Sequence, residues 1–256
     1  MGFKVFIRQV SAGLLLICCA HAVHAQENPA EAGPLSDSPA VVDRDPWEGF
    51  NRKIFVFNDT LDTWFLKPVA KGYRFVTPDP LETGVSNFFS NLLEIRNVLN
   101  DVLQWKWGQA GNDTGRFLVN STVGIAGLID VAQYIGMPRS AGEDFGQTLA
   151  VWGVGQGNFV VLPFFGASTF RDAAGMPVNT LVSPISYVDH VPTRNTLYGT
   201  SLVDTRAQLL SAEELISGDK YVFLRDAYLQ RREFLINDGV VEDDFGADFG
   251  DDFDEF

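Results

Sequence analysis

Asp45-Pro46-Trp47-Glu48-Gly49-Phe50-Asn51-Arg52-Lys53-Ile54-Phe55-Val56-Phe57-Asn58 begins as a helix start and continues as a helix loaded with aromatic carbon. Asp45 is placed to accept from the free N–H groups of a first turn, Pro46 sits where no N–H is needed, and Glu48 falls where a capping box closes. Downstream, Trp47, Phe50, Ile54, Phe57, Leu61 and Trp64 recur at alternating intervals of three and four, which lays one apolar stripe along a helix. Phe55 and Phe65 lie beside it. A water-soluble core rarely needs so much aromatic surface on one helix, whereas a helix at a lipid interface uses it well.

The run DPWEGFNRKIFVFND is followed in order by SNFFSNLLE (86–94), GRFLVNSTVGIAGLIDVA (115–132), EDFGQTLAVWGVGQGNFVVLPFFGASTFRDAAG (143–175), DTRAQLL (204–210) and DAYLQRREFL (226–235). Together these six blocks resemble the MlaA family, also called VacJ, of Gram-negative outer membranes. The resemblance implies an all-α domain of amphipathic helices in a ring around an amphipathic pore, with a flexible Gly-rich hairpin beside it. It also implies partners: phospholipid, a trimeric outer-membrane porin and a soluble periplasmic phospholipid carrier.

Composition sets the compartment. Residues 1–25 combine a basic start (Lys4, Arg8), an apolar run from Ala12 to Ala20 and the cleavage-compatible endings Ala20-His21-Ala22 and Val23-His24-Ala25, which read as a secretory signal. The run is too short for a permanent anchor, and no later stretch reaches eighteen apolar residues. Both cysteines, Cys18 and Cys19, lie in this segment. Family relatives are acylated on a cysteine that follows a small residue. Here Cys18 follows Ile17 and Cys19 follows Cys18, so ordinary cleavage is expected and membrane attachment falls to helix faces or a partner. The expected location is the periplasmic side of the outer membrane.

The formal charge of −14 is unevenly spread. Residues 240–256 carry eight acids and no base, and residues 26–42 carry three acids and no base. Between them, 43–239 is only mildly acidic, with no polybasic patch, which excludes a nucleic-acid binder. Residues 26–42 read as a flexible acidic leader, 43–239 as the helical domain, and 240–256 as a disordered acidic tail. In that tail Phe245, Phe249, Phe253 and Phe256 recur at helical spacing, so two readings stay open: a solvated tail, or a segment that folds on a basic groove. Such a tail is absent from the family pattern.

Within the domain, the first helix is expected over 47–66, stopped by Pro68, with a short second one through Tyr73 and Val76. The next starts near Asp79-Pro80, and Ile95, Val98, Leu99, Val102 and Leu103 make it amphipathic. Further helices are expected near 111–122, 143–151, 169–181, 194–215 and 219–236. Trp105-Lys106-Trp107 reads either as a headgroup-level anchor or as cover for a core edge. With Trp47, Phe50, Trp64 and Phe65, these indoles form the candidate membrane-interface set.

Little here looks catalytic. Gly153-Val154-Gly155-Gln156-Gly157 lacks the lysine and following helix of a phosphate loop, and the serine of a nucleophile elbow. His190 is the one histidine beyond the secretory segment and reads as a loop residue beside Asp189. No catalytic residue, metal site or cofactor is expected. Gly153, Gly155 and Gly157 read either as a hinge that lets a hairpin shift or as a tight packed corner. Asn51 and Asn58, seven residues apart, read either as a polar track or as packing pins; with Phe57 they complete the candidate lipid path. The expected function is a non-enzymatic phospholipid conduit that removes misplaced phospholipid from the outer leaflet. A lipid-modifying hydrolase and a purely structural porin-associated protein stay open beside it.

Overall fold

The computed structural model describes residues 45–213 and 216–240. The secretory segment with Cys18 and Cys19, the leader and the phenylalanine-bearing tail lie outside the described residues. The described ones belong to one compact unit, 43–256. It is helical: α1 (Glu48–Leu61), α2 (Lys67–Val76), α3 (Asp79–Leu103), α4 (Trp107–Thr122), α5 (Val131–Tyr134) and α6 (Phe145–Val151) precede β1 (Phe159–Leu162) and β2 (Gly166–Thr169). Then follow α7 (Phe170–Val182), α8 (Val191–Gln208), α9 (Leu210–Glu213) and α10 (Lys220–Ile236). No helix among the described residues is long and apolar enough to cross a membrane.

Two local expectations are corrected. The capping box does not open α1: Trp47 holds the cap position without a side-chain bond, Glu48 accepts from Arg52 Nε at 2.6 Å, and the buried Asp45 carboxylate accepts from Asn51 Nδ2 at 2.7 Å and from the Tyr221 hydroxyl. An i,i+4 pair has taken Glu48, and Asn51 with the distant Tyr221 has taken the Asp45 carboxylate, the two groups a local cap would use. Pro68 does not stop the first helix either. A π-helical turn, Asp62–Leu66, joins α1 to α2, with Lys67 N–H reaching back to the Asp62 carbonyl. The widened turn relieves the clash a proline ring makes with the carbonyl four residues earlier, and Pro68 falls in the first turn of α2 where its missing N–H matters little. The Gly-rich hairpin expected here is present, and past the glycine corner its two arms are antiparallel strands, with Phe159 opposite Thr169 and Leu162 opposite Gly166. Val-Val and Ser-Thr runs fit a pleated, half-buried surface better than a helix.

The apolar core is small: Phe159, Val161, Tyr221 and Leu229, with Ile54 and Phe55 of α1 against them. Elsewhere polar and charged side chains outnumber apolar ones among the buried residues, while Trp64, Phe65, Phe75 and Trp105 stand at least 73% exposed. α3 shows the inversion within one element. Its buried positions include Asn91, Glu94, Asn97, Asn100 and Asp101, and its exposed ones include Leu93, Leu99 and Val102.

Candidate functional site

The hairpin is fastened to α1 by two amides. Asn51, wholly buried, donates to the Phe159 carbonyl at 3.2 Å and accepts from Val161 N–H at 2.9 Å. One helical heptad later, Asn58 donates to the Leu162 carbonyl at 2.9 Å and accepts from Phe164 N–H at 2.8 Å. That second bond holds Phe164 in a left-handed conformation (φ 68°), which is unfavourable for an aromatic residue. Phe57 adds an edge-to-face contact at 5.4 Å, and Phe164 and Phe165 form an exposed aromatic tip. The shared face expected for Asn51 and Asn58 is present, and both amides grip the hairpin backbone.

Between α1, the hairpin, α9 and the start of α10 lies a cavity of about 450 Å³. Its walls are largely apolar: Phe55, Phe159, Val161, Leu209, Phe223 and Leu224. Five of its charged residues, Asp59, Asp62, Arg206, Glu213 and Lys220, form one network, which Lys67 joins from outside the lining, while Arg225 pairs with Asp226. Arg206 grips Asp62 with two bonds at 2.7 and 2.8 Å and reaches Glu213 at 2.6 Å; Lys67 reaches Glu213 at 2.9 Å; and Lys220 pairs with Asp59 at 2.6 Å. Burial raises the Glu213 carboxyl, but the bonds from Arg206 and Lys67 outweigh it and bring it down to about 2. The cavity therefore offers apolar walls for alkyl chain and a fixed ionic edge for polar groups. Sequence reading missed this network. The available signal was Asp59 on α1 with Asp62 three residues on, at the start of the π turn, and Arg206 inside the DTRAQLL block.

A second polar assembly fills the space between α3, α4 and the segment before α6. Arg116, 1% exposed, donates to Glu94 at 3.0 Å, to both oxygens of Asp130 at 3.0 and 2.9 Å and to the Met137 carbonyl at 2.6 Å. Asp101 is different: fully buried, with no hydrogen-bond partner on either carboxyl oxygen among the described residues. Burial first, then the nearby Asp113 and Glu143 carboxylates, pushes its carboxyl up to about 8. Arg232 closes a third cluster, meeting Asp144 at 2.5 Å and Asp172 at 2.7 Å. Buried ion pairs inside and aromatics outside reverse the distribution usual in a water-soluble domain.

The glycine corner divides. Gly153 (φ 86°) and Gly157 (φ 68°) need left-handed backbone, and a Cβ on Gly157 would lie 2.9 Å from the Phe170 Cβ. Gly155 needs neither, since a Cβ there meets nothing. Trp47 packs edge-to-face on Phe170 at 5.1 Å, and Trp105 on Trp107 at 5.9 Å. His190 is more than a loop residue, because it caps α8, its Nδ1 lying 2.7 Å from the Thr193 hydroxyl and accepting from Thr193 N–H.

A family model described as "MlaA lipoprotein" matches residues 43–235. The chain belongs to the MlaA family. It is 38% identical over 205 residues to the "Intermembrane phospholipid transport system lipoprotein MlaA" of Escherichia coli (strain K12), spanning 77% of this chain and 80% of the relative. To the protein of the same name in Haemophilus influenzae it is 33% identical over 212 residues, or 80% of this chain and 85% of the relative. A solved structure described as "Structural basis for maintenance of bacterial outer membrane lipid asymmetry" superposes with a TM-score of 0.67 at 38% identity, covering 75% of this chain and 99% of its own. The MlaA match ends before the acidic tail and begins after Cys18 and Cys19. Within it, the first block supplies Asn51, Asn58 and Asp59, and Asp62 follows three residues later. The 143–175 block supplies the hairpin, and DTRAQLL supplies Arg206.

Proposed function

We propose that this chain is a phospholipid-conducting component of the outer membrane, acting on its periplasmic side to withdraw phospholipid from the outer leaflet and pass it to a soluble periplasmic carrier. Membership of the MlaA family supports the substrate and the compartment. The observation that carries the reading is the apolar cavity edged by the Arg206–Asp62–Glu213–Lys220–Asp59 network. A phospholipid carries a charged head and two alkyl chains, and exposing those chains to water costs about 0.8 kcal/mol per CH₂. A passage with one apolar and one ionic wall lowers that cost without making or breaking a bond. Helices arranged around an amphipathic pore provide such a passage, with the Gly153–Gly157 corner letting the hairpin pass or block a lipid. The exposed Trp47, Phe50, Trp64, Phe65, Trp105 and Trp107 support a seat among lipid or against a trimeric porin.

The test is outer-leaflet phospholipid content in a deletion strain complemented with wild type or with Ala212→Trp, a small cavity-lining residue near the surface. The expected result is restoration by wild type and retention of surface phospholipid with the variant, at unchanged melting temperature and porin co-purification. Full restoration by Ala212→Trp would sink the cavity as the lipid path.

A further inference from the structure

α2 carries Lys67, Lys71 and Arg74 at i, i+4 and i+7, one face of the helix, in a chain of net charge −14. With Leu210, Ser211 and Glu213 they line a second cavity of about 300 Å³. Its cations are unevenly engaged. Lys67 pairs with Glu213 at 2.9 Å, Arg74 comes only to 3.8 Å of Glu82 and 3.5 Å of the Ser211 hydroxyl, and the exposed Lys71 makes no ion pair among the described residues. On the same helix Val69, Phe75 and Val76 are exposed, Phe75 to 90%. Glu213 lines both this basic cavity and the apolar one, so positive charge and alkyl-lined space lie on two sides of one side chain.

We propose that Lys71 and Arg74, joined by Lys67, hold the phosphate of a phospholipid headgroup. This rests on the function proposed above and adds where the head is gripped. A phosphodiester offers a negative charge and acceptor oxygens with no hydrogen to donate. A guanidinium fork and two ammonium groups supply donors in excess. Lys67 exchanges Glu213 for the phosphate, and Glu213 keeps Arg206 at 2.6 Å and Lys220 at 3.4 Å, so no carboxylate is stranded by the exchange. The exposed valines and phenylalanine of α2 place the basic face at the depth where headgroups meet acyl chains.

The experiment titrates full-length protein in non-ionic detergent with a short-chain phosphatidylglycerol, with the diacylglycerol of the same chain length, and with inorganic phosphate, by calorimetry. Wild type is expected to bind the phosphatidylglycerol more tightly than the diacylglycerol. Lys71→Gln/Arg74→Gln is expected to weaken phosphatidylglycerol binding by about tenfold or more and leave diacylglycerol binding unchanged. Lys71→Ala/Arg74→Ala serves as a second variant, and thermal melting checks that both are folded. Equal phosphatidylglycerol affinity in folded variant and wild type overturns the proposal. So does inorganic phosphate binding as tightly as the lipid, which would assign the pocket to a free anion. If wild type binds diacylglycerol but gains nothing from the headgroup, only the basic pocket fails. If it binds neither lipid, the apolar cavity reading fails with it.

Discussion

Asn51 and Asn58 show how one residue type, repeated after seven positions, secures both ends of a strand. Asn51 is buried with three hydrogen bonds, so Asn51→Leu leaves the Val161 N–H and the Phe159 carbonyl without their partner. The expected loss is about 2–4 kcal/mol by denaturant melting. Asn58 is only half-buried, and Asn58→Leu is expected to cost about 1–2 kcal/mol. Altered outer-leaflet lipid at undiminished stability would instead favour the polar-track reading of Asn58. Asp101 makes the sharper residue-scale case. Its folded value, up to about 8 from an ordinary 3.8, means the native state keeps a proton that the unfolded chain has released. Its contribution is therefore fully present below about pH 3.8 and is lost as pH rises through about 8. Asp101→Asn does not ionise, so its melting temperature is expected to overtake that of wild type as pH is raised across this window, by roughly 5 °C. Parallel pH profiles for the two proteins would contradict a buried, protonated Asp101.

At the scale of elements, the corner between α6 and β1 allows packing to be tested against the proposed movement. Gly157→Ala forces a left-handed alanine against Phe170 and is expected to cost about 1–2 kcal/mol. Gly155 sits in open space with no positive φ, so nothing in this conformation calls for a glycine there. Gly155→Ala is expected to leave the melting temperature unchanged and, under the proposed gating, to slow removal of outer-leaflet phospholipid, because alanine has less backbone freedom than glycine. Wild-type lipid levels in that strain would mean the corner is static. The hairpin tip belongs to the same argument. Phe164 keeps its left-handed backbone through Asn58 and Phe57, so α1 and the tip are coupled by two short contacts.

Over the whole described domain, the decisive property is the exchange of inside and outside. Charged side chains are buried and paired within, as at Arg116 and Arg232, while aromatics face out. Trp64→Glu combined with Phe75→Glu touches side chains exposed to 81% and 90%, so the fold is expected to be unaffected. Detergent-phase partitioning is expected to fall by about a hundredfold or more, as each of the two apolar anchors adds roughly 1.5–3 kcal/mol when buried in lipid and 1.4 kcal/mol is a factor of about ten. Unchanged partitioning would place the membrane contact on another face.

The sequence by itself determined the helices and the family. Periodicity is a local property, so the amphipathic pattern of α3, the proline-led start at Asp79 and the aromatic stripe of α1 were all legible. The six ordered blocks carried the resemblance to MlaA. Local chemistry misled where distant groups competed: Asp45 was drawn from the α1 start toward Asn51 and Tyr221, and Pro68 was accommodated by a π turn that no short motif announces. Only tertiary structure decided which face of each helix points inward, and that Asp59, Asp62, Arg206, Glu213 and Lys220, as far as 161 residues apart, form one ionic edge. A hydrophobic pattern fixes the period of a helix but carries no sign. Whether the apolar side meets a dry core or surrounding lipid depends on where the buried charges find their partners, and those partners lie on other elements.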